Sequence, residues 1–265
     1  MTARTILLTG ATSGIGRALA LDFAGAGIHL LLVGRDAVRL DEVAGLCRAR
    51  GASVEAGRID VRDRLGLAAW IGEQDAKTPV DLAIACAGIV SGTSDERPLE
   101  TDEAMRAVLA VDLTGVLNTI EPVLAPMRKR GRGHIAMVGS LAGLRGFPSS
   151  PAYSMGKAAV HAYAESIRPA LRREGIAVSL VAPGFVRTPL NERVVAPRPL
   201  EIDAPAAARI IRRGLDRRKP MIAFPLVLYF GMRLLTLMPA RFGDWLLDRR
   251  GVDVPRTVER ETIEP

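Results

Sequence analysis

Short apolar runs alternate with longer amphipathic segments through most of the chain, and this alternation restricts it to few folds. The apolar runs predict β-strands at residues 4–8, 28–33, 53–59, 81–85, 134–138 and 177–182. The amphipathic segments predict helices at residues 14–26, 37–50, 65–76, 101–130 and 153–173. Strands without polar alternation that are separated by helices indicate a parallel sheet covered on both faces. With right-handed crossovers, the result is an α/β fold with a doubly wound, Rossmann-type parallel sheet.

The composition fits one folded domain. The chain has 265 residues, of which 48% are hydrophobic, enough for a large core and too apolar for disorder. Its two cysteines, Cys47 and Cys86, lie outside any CxxC pair, so we expect neither a disulfide framework nor a metal site. The first strand starts at residue 4 and leaves no room for a targeting signal, which predicts a cytoplasmic protein.

The net charge of +7 is concentrated near the C-terminus. Residues 205–250 contain ten basic and three acidic residues, so this segment accounts for the excess. The charge therefore describes one basic patch and not the whole molecule. Aromatic residues make up only 4% of the chain, which leaves few side chains to stack on bases, and we expect no nucleic-acid partner.

A glycine-rich turn with the sequence TGATSGIG joins the first predicted strand to the first predicted helix. Its glycines permit a tight turn and close approach of the backbone to a pyrophosphate, which the free N–H groups of the helix attract. Glycine also occurs in such turns for packing alone, and the spacing differs from the common GxGxxG form. We interpret the turn as a dinucleotide site formed by Gly10, Thr12, Ser13, Gly14, Ile15 and Gly16.

The residues after the second and third predicted strands bear on the choice of cofactor. A carboxylate after the second strand would hold a ribose hydroxyl, whereas a cation would hold a 2′-phosphate. This chain has Arg35 there, while Asp36 is placed to cap the next helix, and Arg17 follows the glycine loop. Both arginines also fit a solvated surface, but the pattern favours NADP over NAD. Asp60, followed by Val61, is placed to accept a hydrogen bond from the adenine amino group.

Three polar side chains suggest proton-transfer chemistry. Tyr153 and Lys157 are four residues apart in a predicted helix and so share one face. An ammonium group near a phenol stabilises the phenolate and brings the tyrosine pKa toward neutrality. Ser140 ends the fifth predicted strand, at the edge of the sheet where ligands bind, and its hydroxyl can hydrogen-bond a substrate carbonyl.

Taken in order, these segments resemble the short-chain dehydrogenase/reductase family over about residues 4–190. The shared segments are TGATSGIG, Asp60-Val61, Ala87-Gly88, Ser140, Tyr153-Ser154-Met155-Gly156-Lys157 and Pro183-Gly184-Phe185-Val186-Arg187-Thr188. The resemblance implies that Tyr153 donates or accepts a proton and that Ser140 orients the carbonyl. It implies that Lys157 lowers the tyrosine pKa and holds the nicotinamide ribose. Ala87 and Gly88 would lie against the cofactor, and Pro183, Gly184, Val186 and Thr188 would flank the nicotinamide and its phosphates.

Two positions depart from the family pattern. Where the family often has Asn-Asn-Ala-Gly, this chain has Ala85-Cys86-Ala87-Gly88, and Cys86 is interpreted as a small buried apolar residue. Asp112 stands where the family usually has an asparagine that completes the catalytic set. An ionised aspartate accepts hydrogen bonds but cannot donate them, so it can hold a relay water and pair with Lys157. It would also oppose formation of a tyrosinate, and we expect an active enzyme with an altered pH optimum.

Residues 221–238 are mostly apolar, and Phe242, Trp245 and Leu246 continue this character at helical spacing. We predict a last strand at Met221–Phe224, followed by a helical extension at residues 225–265 beside a catalytic domain at residues 1–224. Arg233 and Pro239 argue against a spanning helix. Two alternatives stay open: a helical cover on the substrate cleft or a subunit interface, and a peripheral anchor on the membrane surface.

The leading hypothesis is an NADP(H)-dependent oxidoreductase that interconverts a secondary alcohol and a carbonyl. A hydrophobic substrate is expected because Leu141, Phe147, Phe185 and Leu190 are predicted to line the cleft. The alternative is a catalytically weak or inactive dinucleotide-binding regulator, for which Asp112 leaves room. Substrate specificity is assigned to residues 191–202, and the long predicted helices suit the homodimer or homotetramer usual in the family.

Overall fold

A computed structural model describes residues 4–93, 99–192 and 198–248 of the chain. Its strands are β1 (Thr5–Thr9), β2 (His29–Gly34), β3 (Ser53–Arg58), β4 (Leu82–Ala85), β5 (Gly133–Val138), β6 (Ile176–Pro183), β7 (Val186–Arg187), β8 (Ile202–Asp203) and β9 (Met221–Phe224). Seven of them form one parallel sheet in the order β3-β2-β1-β4-β5-β6-β9. The short strands β7 and β8, which the sequence pattern did not predict, form a separate parallel pair.

Helices connect the strands and cover both faces of the sheet. They are α1 (Gly14–Phe23), α2 (Ala37–Ala49), α3 (Arg64–Lys77), α4 (Asp102–Leu109), α5 (Gly115–Arg130), α6 (Pro151–Arg173), α7 (Pro189–Glu192), α8 (Ala204–Asp216), α9 (Leu226–Leu237) and α10 (Ala240–Asp248). Asp36, Asp63 and Asp203 begin α2, α3 and α8 because each carboxylate accepts a backbone N–H of the first turn.

The central strands are mostly apolar because both of their faces are buried. All five residues of β1 are buried, and successive side chains point to opposite faces of the sheet. Leu8 packs in a core with residues of α1, α2 and α8, whereas Leu7 packs in a second core with residues of α3, α5 and α6. The predicted doubly wound parallel sheet in a single domain is therefore confirmed.

The long helix predicted at residues 101–130 is not regular throughout. A π-helical segment, Ala110–Thr114, interrupts it between α4 and α5 and carries Asp112. Among the described residues, Asp102–Arg130 is the one helix whose length and apolar composition would allow it to cross a membrane. Half of its most apolar window is buried, however, and Val116 and Ile120 belong to the second core, as expected of a core helix.

The chain reverses its direction across the sheet between β1 and β4, which are neighbours in space. In an open α/β sheet, ligands bind at the carboxyl ends of the strands beside such a reversal. The glycine turn after β1 and the segment after β4 lie there, so the fold places the predicted site residues at one edge. The boundary proposed at residue 224 stays a prediction, and residues 249–265 of the extension lie outside the described residues.

Candidate active site

A cavity of about 1080 Å³ lies at the carboxyl edge of the sheet. This volume is slightly above the roughly 300–1,000 Å³ typical of ligand pockets. All the predicted cofactor-binding residues line it: Gly10, Thr12, Ser13, Gly14, Ile15, Gly16, Arg35, Asp60, Val61, Ala87, Gly88, Tyr153, Lys157, Pro183, Gly184, Val186 and Thr188. Ser140 also lines the cavity, whereas Asp112 lies behind its wall and has no exposed surface.

The glycine turn is shaped so that only glycine fits at its central positions. Gly10 has φ +69, in the left-handed region, and a Cβ atom there would come within 2.7 Å of the Cα atom of Ala87. A Cβ atom on Gly16 would lie 2.0 Å from the carbonyl oxygen of Gly10. The turn therefore brings bare backbone to the cavity, and α1 begins within the glycine segment, at Gly14, with its N-terminal N–H groups at the cavity wall. This cradle fits a pyrophosphate.

Cations gather where the ends of β2 and β3 meet the cavity. Arg35 is joined there by Arg39 and Arg58, which the sequence analysis missed. The register of the sheet brings Arg58 beside Gly34, and Arg39 lies in the first turn of α2, so strand pairing was the signal that could have found them. Arg17 does not line the cavity, and its guanidinium pairs with Glu42 at 3.0 Å; Arg39, which does line the cavity, pairs with Asp36 at 3.2 Å.

Asp60 is held by arginines in this structure. Its Oδ1 accepts the backbone N–H of Arg62 at 2.8 Å, and its Oδ2 accepts the Arg62 guanidinium at 2.8 and 3.0 Å. A guanidinium nitrogen of Arg35 lies 3.6 Å from the same Oδ2 atom. Burial alone would raise the pKa of Asp60, but the hydrogen bonds and charge of Arg62 and the charge of Arg35 lower it. Asp60 thus stays ionised and orients Arg35 at the cavity wall.

Ser140, Tyr153 and Lys157 converge on the cavity from two elements. Ser140 follows β5 after one glycine, while α6, which begins at Pro151, carries Tyr153 and Lys157 one turn apart. Tyr153 is hydrogen-bonded to Ser140, and the Lys157 ammonium nitrogen lies 5.4 Å from the centroid of the Tyr153 ring. Lys157 also donates to the carbonyl oxygen of Val138 at 3.1 Å, which fixes the buried ammonium against β5.

Asp112 pairs with Lys157, as the sequence analysis expected. The carboxylate Oδ2 atom lies 2.9 Å from the Lys157 ammonium, and Oδ1 accepts the backbone N–H of Ile89 at 2.8 Å. A Cβ atom on Gly88 would come within 3.2 Å of the Asp112 carboxylate, so glycine leaves room for the ion pair beside the cavity. Single-turn π-helical segments are frequent at functional sites, and this one presents Asp112 to the Lys157 ammonium.

The pKa of Tyr153 differs from the sequence expectation. Burial raises it above its ordinary value; Lys157 lowers it, Asp112 raises it further, and the hydrogen bond with Ser140 lowers it. The net shift is upward, so Lys157 does not bring the phenol toward neutrality in this state, because desolvation outweighs the ammonium. Burial would lower the pKa of Lys157, but Asp112 and Tyr153 raise it. At neutral pH the site therefore contains a protonated phenol beside an ammonium.

Apolar side chains form the other end of the cavity. Leu141, Phe147, Phe185 and Leu190 line it as predicted. Two further apolar residues, Leu228 and Met232, reach it from α9, and their spacing of four residues was the signal for an inward helix face. The segment after β9 therefore does cover the cleft. Residues 193–197, in the segment assigned to substrate specificity, lie outside the described residues.

Cys86 lines the cavity near Lys157 but is not activated. Burial raises the pKa of its thiol to about 12, and the charge of Lys157 only partly opposes this rise. A thiol of this kind stays protonated and is a poor nucleophile. The residue is half-buried, less than the sequence predicted, because it lies at the cavity wall. Within residues 4–93, 99–192 and 198–248, no group of three or more metal-ligating side chains is placed to hold a metal ion.

Known proteins share this arrangement. The family model for short chain dehydrogenases matches residues 4–199 of the chain. An uncharacterised oxidoreductase from Myxococcus xanthus is 35% identical over 240 residues, which cover 90% of this chain and 94% of that protein. A short-chain dehydrogenase from Sphingobium yanoikuyae in complex with NADPH has 28% identity and a TM-score of 0.77, covering 95% of this chain and 96% of that chain. One from Burkholderia phymatum in complex with NAD has 26% identity and a TM-score of 0.78, covering 95% and 97%.

A parallel sheet with a glycine cradle and a converging serine, tyrosine and lysine defines an oxidoreductase that uses a nicotinamide dinucleotide. The match of the family model to residues 4–199 settles the family. This chain belongs to the short-chain dehydrogenase/reductase family. It is an NAD(P)-dependent enzyme of that family, and the solved relatives bind NADPH in one case and NAD in the other.

Proposed function

We propose that the protein is an NADP(H)-dependent reductase that interconverts a carbonyl and a secondary alcohol on a hydrophobic substrate. One observation carries the proposal: the hydrogen-bonded Ser140–Tyr153 pair and the Lys157 ammonium share a cavity wall between a glycine cradle and an apolar pocket. A substrate carbonyl oxygen bound by the hydroxyls of Ser140 and Tyr153 would place the carbonyl carbon between the glycine cradle and the apolar pocket. The apolar lining favours a substrate with bulky hydrocarbon groups.

The residues of the cavity fit a phosphorylated dinucleotide. The glycine turn and the N–H groups of α1 would hold the pyrophosphate, and Arg35, with Arg39 and Arg58 nearby, would hold a 2′-phosphate. Lys157 and Tyr153 would hold the nicotinamide ribose. Pro183, Gly184, Val186 and Thr188 would flank the nicotinamide. The arginines favour NADP, because an NAD site would be expected to present a carboxylate after β2 to the ribose hydroxyl, whereas Arg35 stands there and the carboxylate of Asp36 caps α2.

A nicotinamide dinucleotide held by these residues would supply or accept a hydride at the substrate carbon. In the reductive direction, Ser140 donates a hydrogen bond to the carbonyl oxygen, and Tyr153 transfers its phenolic proton to that oxygen. The carbonyl double bond becomes a C–O single bond, and the negative charge passes to the phenolate. Lys157 stabilises this phenolate electrostatically, because its ammonium is buried where charges interact more strongly than in water. Proton uptake from solvent then restores the phenol.

The protonation state favours carbonyl reduction at neutral pH. Tyr153 carries its proton because burial and Asp112 raise its pKa, so the phenol is ready to act as an acid. Oxidation of an alcohol needs the phenolate, which forms only at more alkaline pH. The Asp112 carboxylate in turn raises the pKa of Lys157 and keeps its ammonium charged when the phenolate forms.

The proposal is tested by NADPH consumption with a panel of hydrophobic ketones, and with NADH in parallel. Removal of the phenolic proton in Tyr153→Phe is expected to lower kcat by about 10²–10⁴-fold, the usual worth of a general acid. NADPH binding, measured by its fluorescence, should change little. A variant as active as the wild-type protein would exclude Tyr153 as the proton donor.

The alternative is a dinucleotide-binding regulator with little or no turnover. Asp112, in the place of the usual asparagine, is the feature that favours it, because its carboxylate opposes phenolate formation. The same experiments decide between the two: tight NADPH binding without consumption of any ketone in the panel supports the regulator. A homodimer or homotetramer and a cytoplasmic location stay predictions of the sequence, and light scattering tests the former.

A further inference from the structure

The C-terminal helices present an apolar surface to solvent. We call it the outer apolar face and define it by seven side chains: Leu226, Val227, Phe230, Leu234 and Leu237 of α9, and Phe242 and Trp245 of α10. These side chains are between 48% and 82% exposed. Residues 225–248 also hold two of the six phenylalanines, one of the three tyrosines and one of the two tryptophans of the chain. Exposed apolar patches of this kind mark interaction surfaces.

Helix α9 is apolar on both sides. Its inner side contributes Leu228 and Met232 to the cavity and Leu235 to the packed interior, while the outer apolar face lies on the other side. A helix that only covered the cleft would need one apolar face and would carry polar residues outward. A helix that is apolar all round is normally surrounded by protein or by lipid. We therefore expect the outer side of α9 to contact apolar material outside this fold, either another protein surface or lipid.

Two arginines lie beside the outer apolar face, and one of them, Arg233, also lies 3.9 Å from the carboxylate of Glu165. Arg233 lies three residues after Phe230 on α9, and Arg241 lies four residues before Trp245 on α10, so each is next to the face. The nearby acid Asp244 is neutralised by Arg145, whose guanidinium nitrogen is 2.7 Å from its carboxylate. Arginine and tryptophan beside an aliphatic surface match the boundary between headgroups and acyl chains, and the arginines match anionic headgroups.

The segment that follows α10 is strongly charged. Residues 249–265, which follow α10, contain four basic and four acidic residues among seventeen. Such a composition suits water better than an aliphatic surface. A bilayer, in contrast, satisfies the apolar side chains and the arginines together, and the net charge of +7 favours an anionic one.

We propose that the outer apolar face docks on an anionic lipid bilayer and that the cavity behind α9 receives a substrate that partitions into that bilayer. Helix α9 alone then separates the lipid from the apolar end of the cavity, because Leu228 and Met232 on its inner side line that end. The proposal of docking rests only on the outer apolar face and does not depend on the proposed function. The substrate class rests on the proposed function, and it narrows the hydrophobic substrate to a lipid-soluble ketone or alcohol.

Docking is tested by flotation of the full-length protein with vesicles of phosphatidylcholine, with and without phosphatidylglycerol, in the absence of cofactor. The wild-type protein is expected to float with the anionic vesicles. Phe230→Ser combined with Leu234→Ser should lower the bound fraction about tenfold or more, since each side chain loses apolar burial. Leu65→Ser is the matched control, because Leu65 is 81% exposed on α3, away from the C-terminal helices, and it should bind like the wild type.

Two further outcomes would overturn docking. One is wild-type protein that stays with the vesicle-free fraction at both compositions. The other is a dimer, seen by light scattering, that the double variant dissociates while vesicle binding is absent, because the face would then join two copies of this chain. Circular dichroism confirms that the double variant is folded, so that a loss of binding is assigned to the surface.

The substrate class is tested separately with a short water-soluble ketone and a long-chain ketone carried in the vesicles. The double variant should reduce the soluble ketone at the wild-type rate and the vesicle-borne ketone about tenfold more slowly. An equal loss of rate with both ketones, or no loss of rate with either ketone, would overturn delivery of the substrate from the bilayer. If the proposed reductase function fails, neither ketone is reduced by the wild-type protein, yet flotation still reports docking by itself.

Discussion

The carboxylate of Asp112, buried behind the wall of the active-site cavity, lies 2.9 Å from the ammonium of Lys157, which lines that cavity. Asp112 reaches this position because a π-helical segment interrupts the long helix before α5. The ion pair acts on Tyr153 with opposite signs, because Lys157 lowers the pKa of the phenol and Asp112 raises it. The protonation of Tyr153 is thus set jointly by the ion pair and by burial.

Replacement of Asp112 by asparagine should shift the pH dependence of alcohol oxidation. The new amide would keep an oxygen for the Ile89 N–H but remove the negative charge that raises the pKa of Tyr153. The phenolate then forms at lower pH, and the rise of kcat with pH should move to lower pH. The measurement is kcat for NADP reduction against pH. Asp102→Asn serves as the control, because Asp102 is exposed and pairs with Arg106. An unchanged pH profile in Asp112→Asn would show that Asp112 does not affect the pKa of Tyr153.

Replacement of Arg35 by alanine should weaken binding of NADPH selectively. Loss of a charge-assisted contact to a 2′-phosphate costs about 1.5–3 kcal/mol, which is roughly a 10- to 100-fold rise in Kd. NADH lacks this phosphate, so its Kd should change little. Arg17→Ala is a matched control near the glycine turn, because Arg17 pairs with Glu42 outside the cavity. Equal losses for NADPH and NADH in Arg35→Ala would contradict a 2′-phosphate role, and fluorescence titration gives both constants.

Replacement of Gly10 by alanine should damage both folding and cofactor binding. The new Cβ atom would meet backbone of Ala87 at 2.7 Å, and alanine is strained at φ +69. We expect Tm and NADPH affinity to fall together. Gly45→Ala is the matched control: Gly45 lies inside α2 with open space around its Cβ position, and alanine there should stabilise the protein by about 0.5–1 kcal/mol. A Gly10→Ala variant that keeps its Tm would refute the tight approach.

Stability should fall in mild acid because two histidines are buried. Burial lowers the pKa of His134 to about 4, and burial lowers that of His161 to about 4 as well. Histidines in the unfolded chain titrate near pH 6.5, so between roughly pH 6.5 and 4 the unfolded state binds more protons. The free energy of unfolding is therefore highest above this range and should drop by about 3 kcal/mol per histidine across it.

Urea unfolding at several pH values measures this slope. His134→Gln keeps a side-chain donor for the hydroxyl of Ser179, which lies 2.8 Å from the histidine ring, but cannot take up a proton. The variant should lose about half of the acid dependence. If the free energy of unfolding depends on pH equally in the wild-type protein and in His134→Gln, then the titration of His134 does not control stability in this pH range.

Much of the fold could be predicted because its determinants are local. Apolar runs such as Ile6-Leu7-Leu8 must be buried on both faces, and Asp36 caps a helix wherever the first turn needs an acceptor. The predicted helix at residues 14–26 ended early, at Phe23, because Gly25 and Gly27 follow and Gly27 takes a positive φ. Helix ends of this kind depend on single residues and are predicted less well than the elements themselves.

In the candidate site, too, some features were predicted from the sequence and others depended on the tertiary structure. The glycine turn and the spacing of Tyr153 and Lys157 predicted which residues meet at the cavity. Strand register was needed to add Arg58, and the packing of α1 on α2 turned Arg17 toward Glu42. The inward side of α9, with Leu228 and Met232, depended on where β9 ends at the sheet edge.

The amino-acid sequence by itself determined the order of strands and helices, the glycine cradle and the identity of the side chains that we propose to react. These follow from hydrophobic periodicity and from chemistry that each residue carries wherever it is placed. Only the tertiary structure decided the protonation of Tyr153 and the partner of Lys157. Desolvation and Coulomb energy depend on distances between residues remote in the chain, and at this site burial outweighs the favourable ammonium.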